Sequence, residues 1–195
     1  MRYNLIVSNL FPGGIPMKTM NSVKRTVLGA LCVALCVVLP IAVHSIPNAG
    51  SVILPMHIPV LICGLVCGWP YGFICGLLGP LLSSLITGMP PAAMMPAMMV
   101  ECAVYGMVTA LLLKVVHTGN TRFDLYIALL AAMIAGRVVS GVAKALIFSP
   151  GITMSAWITG SFVTALPGIV IQLVLVPQVV CLLMKIGQIP KRYPE

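Results

Sequence analysis

Acidic residues are almost missing from this sequence. Three Asp and Glu stand among 195 residues, against eleven Lys and Arg, and charged residues make up only 7% of the chain. With 60% hydrophobic residues and a mean hydropathy of +1.12, that scarcity excludes a soluble globular domain and points to a polytopic, all-α membrane protein. No polar segment is long enough to form a second domain. Catalytic constellations are missing too. There is no nucleophile elbow, no HExxH and no pair of acids on one helix, so no enzyme is expected. A phosphate-binding P-loop is also absent, so the chain does not use ATP in that way. The seven cysteines fall in or beside apolar runs, with Cys32/Cys36 and Cys63/Cys67 four apart, and no histidines join them at ligand spacing. They read as small, reduced, buried apolar residues, and no metal or cofactor is expected. A net charge of +8 would suit nucleic acid, but the cations flank apolar runs as topology signals do. Their expected partner is the anionic inner face of the bilayer, not nucleic acid.

What is present divides into six apolar spans. Residues 1–21 are polar and rich in Gly and Pro, and read as a cytoplasmic tail, with Met17 and Met20 as alternative starts. Residues 22–187 form the transmembrane domain, and residues 188–195 a short C-terminal tail. The first span, Thr26 to Val43, follows Lys24 and Arg25; more apolar segments come after it and no A-x-A site does, so it is an uncleaved helix. Residues 44–56 hold two prolines, an Asn and a Gly, and read as an outer loop able to gate a site. From His57 to Thr87, Gly64, Gly68, Gly72 and Gly76 recur every four residues, and Pro70 divides the stretch into two short helices meeting at Gly68–Tyr71. The fourth span runs from about Ala97 to Leu113, the fifth from Asp124 to Phe148, and the sixth from about Ser155 to Met184, kinked at Pro167 and Pro177. Nine of the eleven cations then fall on one side, and the connections at 44–56, 88–96 and 149–154 carry none. The positive-inside rule places both termini in the cytoplasm.

The two remaining cations are Arg137 and Lys144, inside the fifth span and seven residues apart, hence on one helical face. A cation near the centre of a membrane helix costs about 2.5–3.5 kcal/mol on insertion scales. The acid inside an apolar span is Glu101, and one acid cannot neutralise both. One reading pairs Arg137 with Glu101 for assembly, while Lys144 snorkels to the surface. The other gives the surplus charge an anionic ligand, most plausibly a carboxylate. The spans bring Glu101, Tyr105 one turn below it, Arg137 and Lys144 toward the outer half of the bundle. Asn48 and His57 flank that side from the loop, His57 being either a ligand contact or a loop histidine facing water. Trp157, Ser161 and Thr164 share a face of the sixth span at i, i+4, i+7, although Trp157 would serve equally as an interfacial anchor. Gln172 lies deeper, where an interhelical hydrogen bond accounts for it.

Over residues 22–187 these features resemble the S component of an energy-coupling factor (ECF) transporter. The residues that carry the resemblance are six spans of this size, Ala30-x-x-x-Ala34 with Gly29 and Cys32 nearby on the first span, the loop after it, and the Gly/Pro-rich stretch His57–Pro91. The resemblance implies a substrate-capturing subunit of an importer for a vitamin or related micronutrient, in a prokaryotic plasma membrane. It implies that Ala30 and Ala34 dock on a coupling membrane subunit bound to two ATPase subunits, and that the first outer loop gates a site built with helices four to six. Pantothenate, a folate or another carboxylate fits the charge. A self-sufficient small secondary carrier or channel is the competing reading. Topology labels at residues 118 and 152 are expected to report the cytoplasm and the exterior respectively; an exterior signal at 118 would contradict the six-span, both-ends-inside arrangement.

Overall fold

The computed structural model describes residues 20–43, 49–148, 153–190 and Tyr193, and among these there is no strand. Helix α1 spans Ser22–Ala42. A short α2, Ala49–Ile53, lies within the connection that follows α1; Asn48 is outside the described residues. Then come α3, His57–Cys67, and α4, Trp69–Thr87. Helices α5, Met95–Val115, and α6, Thr121–Ala143, follow, and α6 continues into a π-helical turn over Lys144–Phe148. The last span is broken: α7, Met154–Ile158, a π-helical turn over Thr159–Val163, and α8, Leu166–Lys185.

Five helical stretches are long and apolar enough to cross a bilayer: Ser22–Ala42, Trp69–Thr87, Met95–Val115, Thr121–Leu146 and Met154–Lys185. A further apolar helix, α3, is shorter: its eleven residues reach only about 16 Å of a hydrocarbon layer of about 30 Å. Its composition explains how so short a helix is tolerated. Nine of its residues, His57 to Cys67, are buried, so α3 faces protein rather than lipid and its ends need not reach the headgroups. Its partner is not short: α4 runs nineteen residues to Thr87, so the expectation of two short helices holds for the first alone. The break between them falls at Gly68, where φ is +96°, a conformation that strongly favours glycine, and Pro70 sits in the first turn of α4.

The glycine repeat does its work at the contact with α5. A Cβ on Gly72 would overlap the carbonyl oxygen of Gly106, and one on Gly76 would overlap the backbone of Cys102. Helices α4 and α5 are therefore antiparallel with their backbones touching, which in lipid substitutes for a hydrophobic driving force. This close approach seats α5, and with it Glu101 and Tyr105, in the middle of the bundle.

The start of α1, the start of α4 and the α5–α6 connection lie at one end of the molecule. Thr26 Oγ1 and Tyr71 Oη are 3.2 Å apart, joining the start of α1 to the start of α4. Tyr193 donates to Asp124 and accepts from the Gly119 backbone N–H, tying the C-terminal tail to the α5–α6 connection. Thr118 donates to the same fully buried carboxylate from its N–H and its hydroxyl, at 2.9 and 2.7 Å. Lys24, Arg25, Lys114, Arg122 and Lys185 all sit on helix turns at this end. The fold is thus that of a multi-pass membrane protein, and five of its described cations lie at one end.

Candidate functional site

A buried polar cluster forms where α3, α5 and α6 meet. Gly136 makes it possible: the Tyr105 ring occupies the space that a Cβ there would need. The phenol therefore lies flat on α6 beside the next residue, Arg137. Arg137 Nε donates to Tyr105 Oη at 3.0 Å, and Tyr105 Oη donates to Glu101 Oε1 at 3.0 Å. Ser140, one turn beyond Arg137, donates to Glu101 Oε2 at 3.0 Å. His57, the first residue of α3, brings Nε2 to 3.7 Å from Glu101 Oε1 and sets its ring edge-on to Tyr105, with centroids 5.4 Å apart. Arg137 and Tyr105 are buried, at 2% and 0% exposure, and His57 and Ser140 at 1%.

Arg137 and Glu101 are thus joined through Tyr105, and among the described residues Arg137 makes no direct ion pair. The relay uses Nε and leaves the outer edge of the guanidinium. Arg137 Nη1 is buried without a hydrogen-bond partner, as are both ring nitrogens of His57. Nη1 is one arm of the planar fork that suits a carboxylate. Phe162 covers it from the last span, its ring centroid 5.4 Å from Cζ.

The π-helical turn at Thr159–Val163 changes which residues of that span share a face. A π turn brings i+5 beneath i, and Trp157 packs edge-to-face on Phe162, centroids 5.8 Å apart, rather than on Ser161. Thr164 is exposed and Ser161 half-buried, so the expected Trp157–Ser161–Thr164 face does not form. The span is also broken, not merely kinked, before Pro167, which stands in the first turn of α8. Trp157 lies against Gly141, where a Cβ would overlap its indole, and its Nε1 is buried without a partner. An open apolar groove of about 290 Å³ runs beside it, lined by Val138, Gly141, Val142, Ala145, Thr153 and Met154. Trp157 and Phe162 form an aromatic wall between this groove and Arg137.

Lys144 is half-buried at the start of the π-helical turn that extends α6. His57 is not a loop residue facing water; it is helical and buried. Ser140 and Phe162 escaped the sequence reading. Ser140 had a signal, since i+3 from Arg137 shares its face, whereas the π register hid Phe162. On α1, Ala30 and Ala34 are exposed, alongside Val23, Val27, Leu31, Val38 and Ile41. Gly29 and Cys32 point the other way and are buried, Gly29 against Tyr71, so they do not extend the alanine surface. All seven cysteines are free thiols, six of them buried, and among the described residues no three His, Cys, Asp or Glu gather as metal ligands.

The cluster is a closed, charge-bearing polar centre inside a bundle of apolar helices. A family model described as "ECF transporter, substrate-specific component" matches residues 24–180. The chain belongs to that family, and so is a transporter subunit that associates with an ECF module and a small-molecule substrate. No curated protein and no solved structure matches it.

Because Tyr105 bridges two charged groups, Tyr105→Phe should be destabilising beyond the average interhelical hydrogen bond in membranes, which is about 0.6 kcal/mol. A loss of about 2–4 kcal/mol is expected, since both Arg137 Nε and Glu101 lose a buried partner. Reversible unfolding in detergent measures it; an unchanged or raised stability would show that the hydroxyl does not hold the relay.

Proposed function

We propose that this S component captures an anionic micronutrient of the vitamin class, pantothenate-like or another carboxylate, from the exterior for an ECF importer. The observation that carries the reading is the buried, unpartnered Nη1 of Arg137. Arg137 is positioned by Tyr105 through Nε and offers its free edge to the ligand anion; Lys144 adds a second positive charge toward the outer end. Glu101, held by Tyr105 and Ser140, orients the cluster and has room to accept a ligand hydroxyl or amide hydrogen. His57 closes the cluster beneath the first outer connection. Trp157 and Phe162 wall it on the other side, with Ser161 beside them. The segment around α2 acts as the lid, resting on α8 where Gly168 meets the carbonyls of Val52 and Ile53.

On this reading the cation-rich end faces the cytoplasm in a prokaryotic plasma membrane. The exposed small-residue surface at Ala30 and Ala34 is where the coupling subunit, with its two ATPases, approaches the helix closely. The ligand is to be found by thermal shift on the purified subunit against vitamins and their precursors. With that ligand, Arg137→Gln and Lys144→Gln are each expected to weaken binding by roughly 30-fold to a few thousand-fold in calorimetry, the effect of losing a buried charge-assisted contact. A neutral or cationic ligand, or full affinity in both variants, would mean that the surplus charge serves assembly.

A further inference from the structure

Gln172 is fully buried, at 0% exposure, and neither its amide oxygen nor its amide nitrogen has a hydrogen-bond partner. An interhelical hydrogen bond, the simplest use for a glutamine in a membrane helix, is therefore not what keeps it. Leaving both atoms of an amide unsatisfied in a dry interior is costly, and such groups in native proteins have a use. The residue lies on the inward stripe of α8, with Gly168 one turn outward and Val176 one turn inward, all three buried. Gly168 packs on the carbonyls of Val52 and Ile53 just before α3, so this stripe looks into the bundle beside the lid.

Gln172 also stands at the depth of the charged cluster. Arg137 is sixteen residues from Thr121 at the cation-rich end of α6, and Gln172 thirteen from Lys185 at the same end of α8. At 1.5 Å per residue they lie roughly 24 and 20 Å from that end, about one helical turn apart. Helices α6 and α8 pack against each other.

A glutamine amide presents a carbonyl acceptor and an N–H donor side by side. Its full complement is a group with the same edge reversed, as when glutamine grips an adenine edge with two bonds. An open-chain secondary amide does not offer this, because its trans geometry puts N–H and C=O on opposite sides. A ring amide or ring urea does, because the ring holds them cis. Resting on the anionic reading above, we infer that Gln172 is a specificity-determining residue of the site: it takes the ring N–H/C=O edge of the ligand whose anionic group Arg137 holds.

The test measures binding of five probes to purified parent and Gln172→Leu protein, with the ligand-free melting temperature of each. Folate and biotin are carboxylates with a ring edge; pantothenate and nicotinate are carboxylates without one; riboflavin is neutral with one. An edge-bearing anion is expected to bind the parent, and Gln172→Leu to weaken it by roughly 5- to 150-fold, the range of one two-bond contact. The variant's ligand-free melting temperature is expected to stay level or rise, because a similar-sized apolar side chain replaces an unpaired buried amide. A lower melting temperature with unchanged affinity would make Gln172 structural and overturn the inference. Preference for pantothenate or nicotinate, held equally by parent and variant, would overturn it while leaving the anionic site standing. Riboflavin bound in place of the anions and lost in the variant would support Gln172 but overturn the anionic reading; binding of none of the five would overturn both.

Discussion

The structure depends on one buried relay, in which Arg137 is held by Tyr105, Tyr105 by Glu101, and Glu101 again by Ser140. A guanidinium inside a membrane bundle is tolerated only when something fixes and partly neutralises it. Here a single carboxylate does so at one remove. The intervening phenol keeps cation and anion from collapsing into a closed pair that would consume the guanidinium edge. The result is a cation that is positioned but not saturated. Its positioning draws on two helices, and what stays unpartnered is Nη1.

That relay needs backbone geometry that bulky residues would prevent. Gly136 admits the Tyr105 ring against α6, and the Gly72–Gly106 contact pulls α5 into the centre. The short α3 contributes in another way. Because it ends at His57 rather than at the membrane surface, it places an imidazole at the level of Glu101, with the α2 segment filling the space outside it. A full-length helix at this position would have carried the chain past the site. The α2 segment and the charged centre are in this way joined by one short stretch, from Val52 to His57.

Much of this was legible in the amino acids, and the reasons are physical. Cations at span ends, long apolar runs and a glycine before Trp69–Pro70 each report a local constraint that acts wherever the residue sits. The helix ends of α5 and α6 moved by only a few residues, and Arg137, Glu101 and Tyr105 met as their helical phase required. What stayed hidden depends on contacts between distant segments or on a change of helical register. The π-helical turn at Thr159–Val163 brings Phe162 beneath Trp157, and no periodicity signals it beforehand. The burial of His57 follows from α3 lying inside the bundle, a tertiary fact. Gln172 was visible as a polar residue, but only the packing shows that no helix satisfies it.

Membership of the S-component family gives the chain a role in import, and the anionic ligand proposed above rests on the unsaturated guanidinium. The central claim is that the ligand's negative charge, not merely its shape, completes the site. The most direct measurement compares calorimetric affinity for the bound carboxylate with that for its carboxamide, which keeps size and hydrogen-bonding capacity but removes the charge. The account predicts that the carboxamide binds at least roughly 30-fold more weakly, the lower range for a buried charged contact. Equal affinity for the two would contradict it.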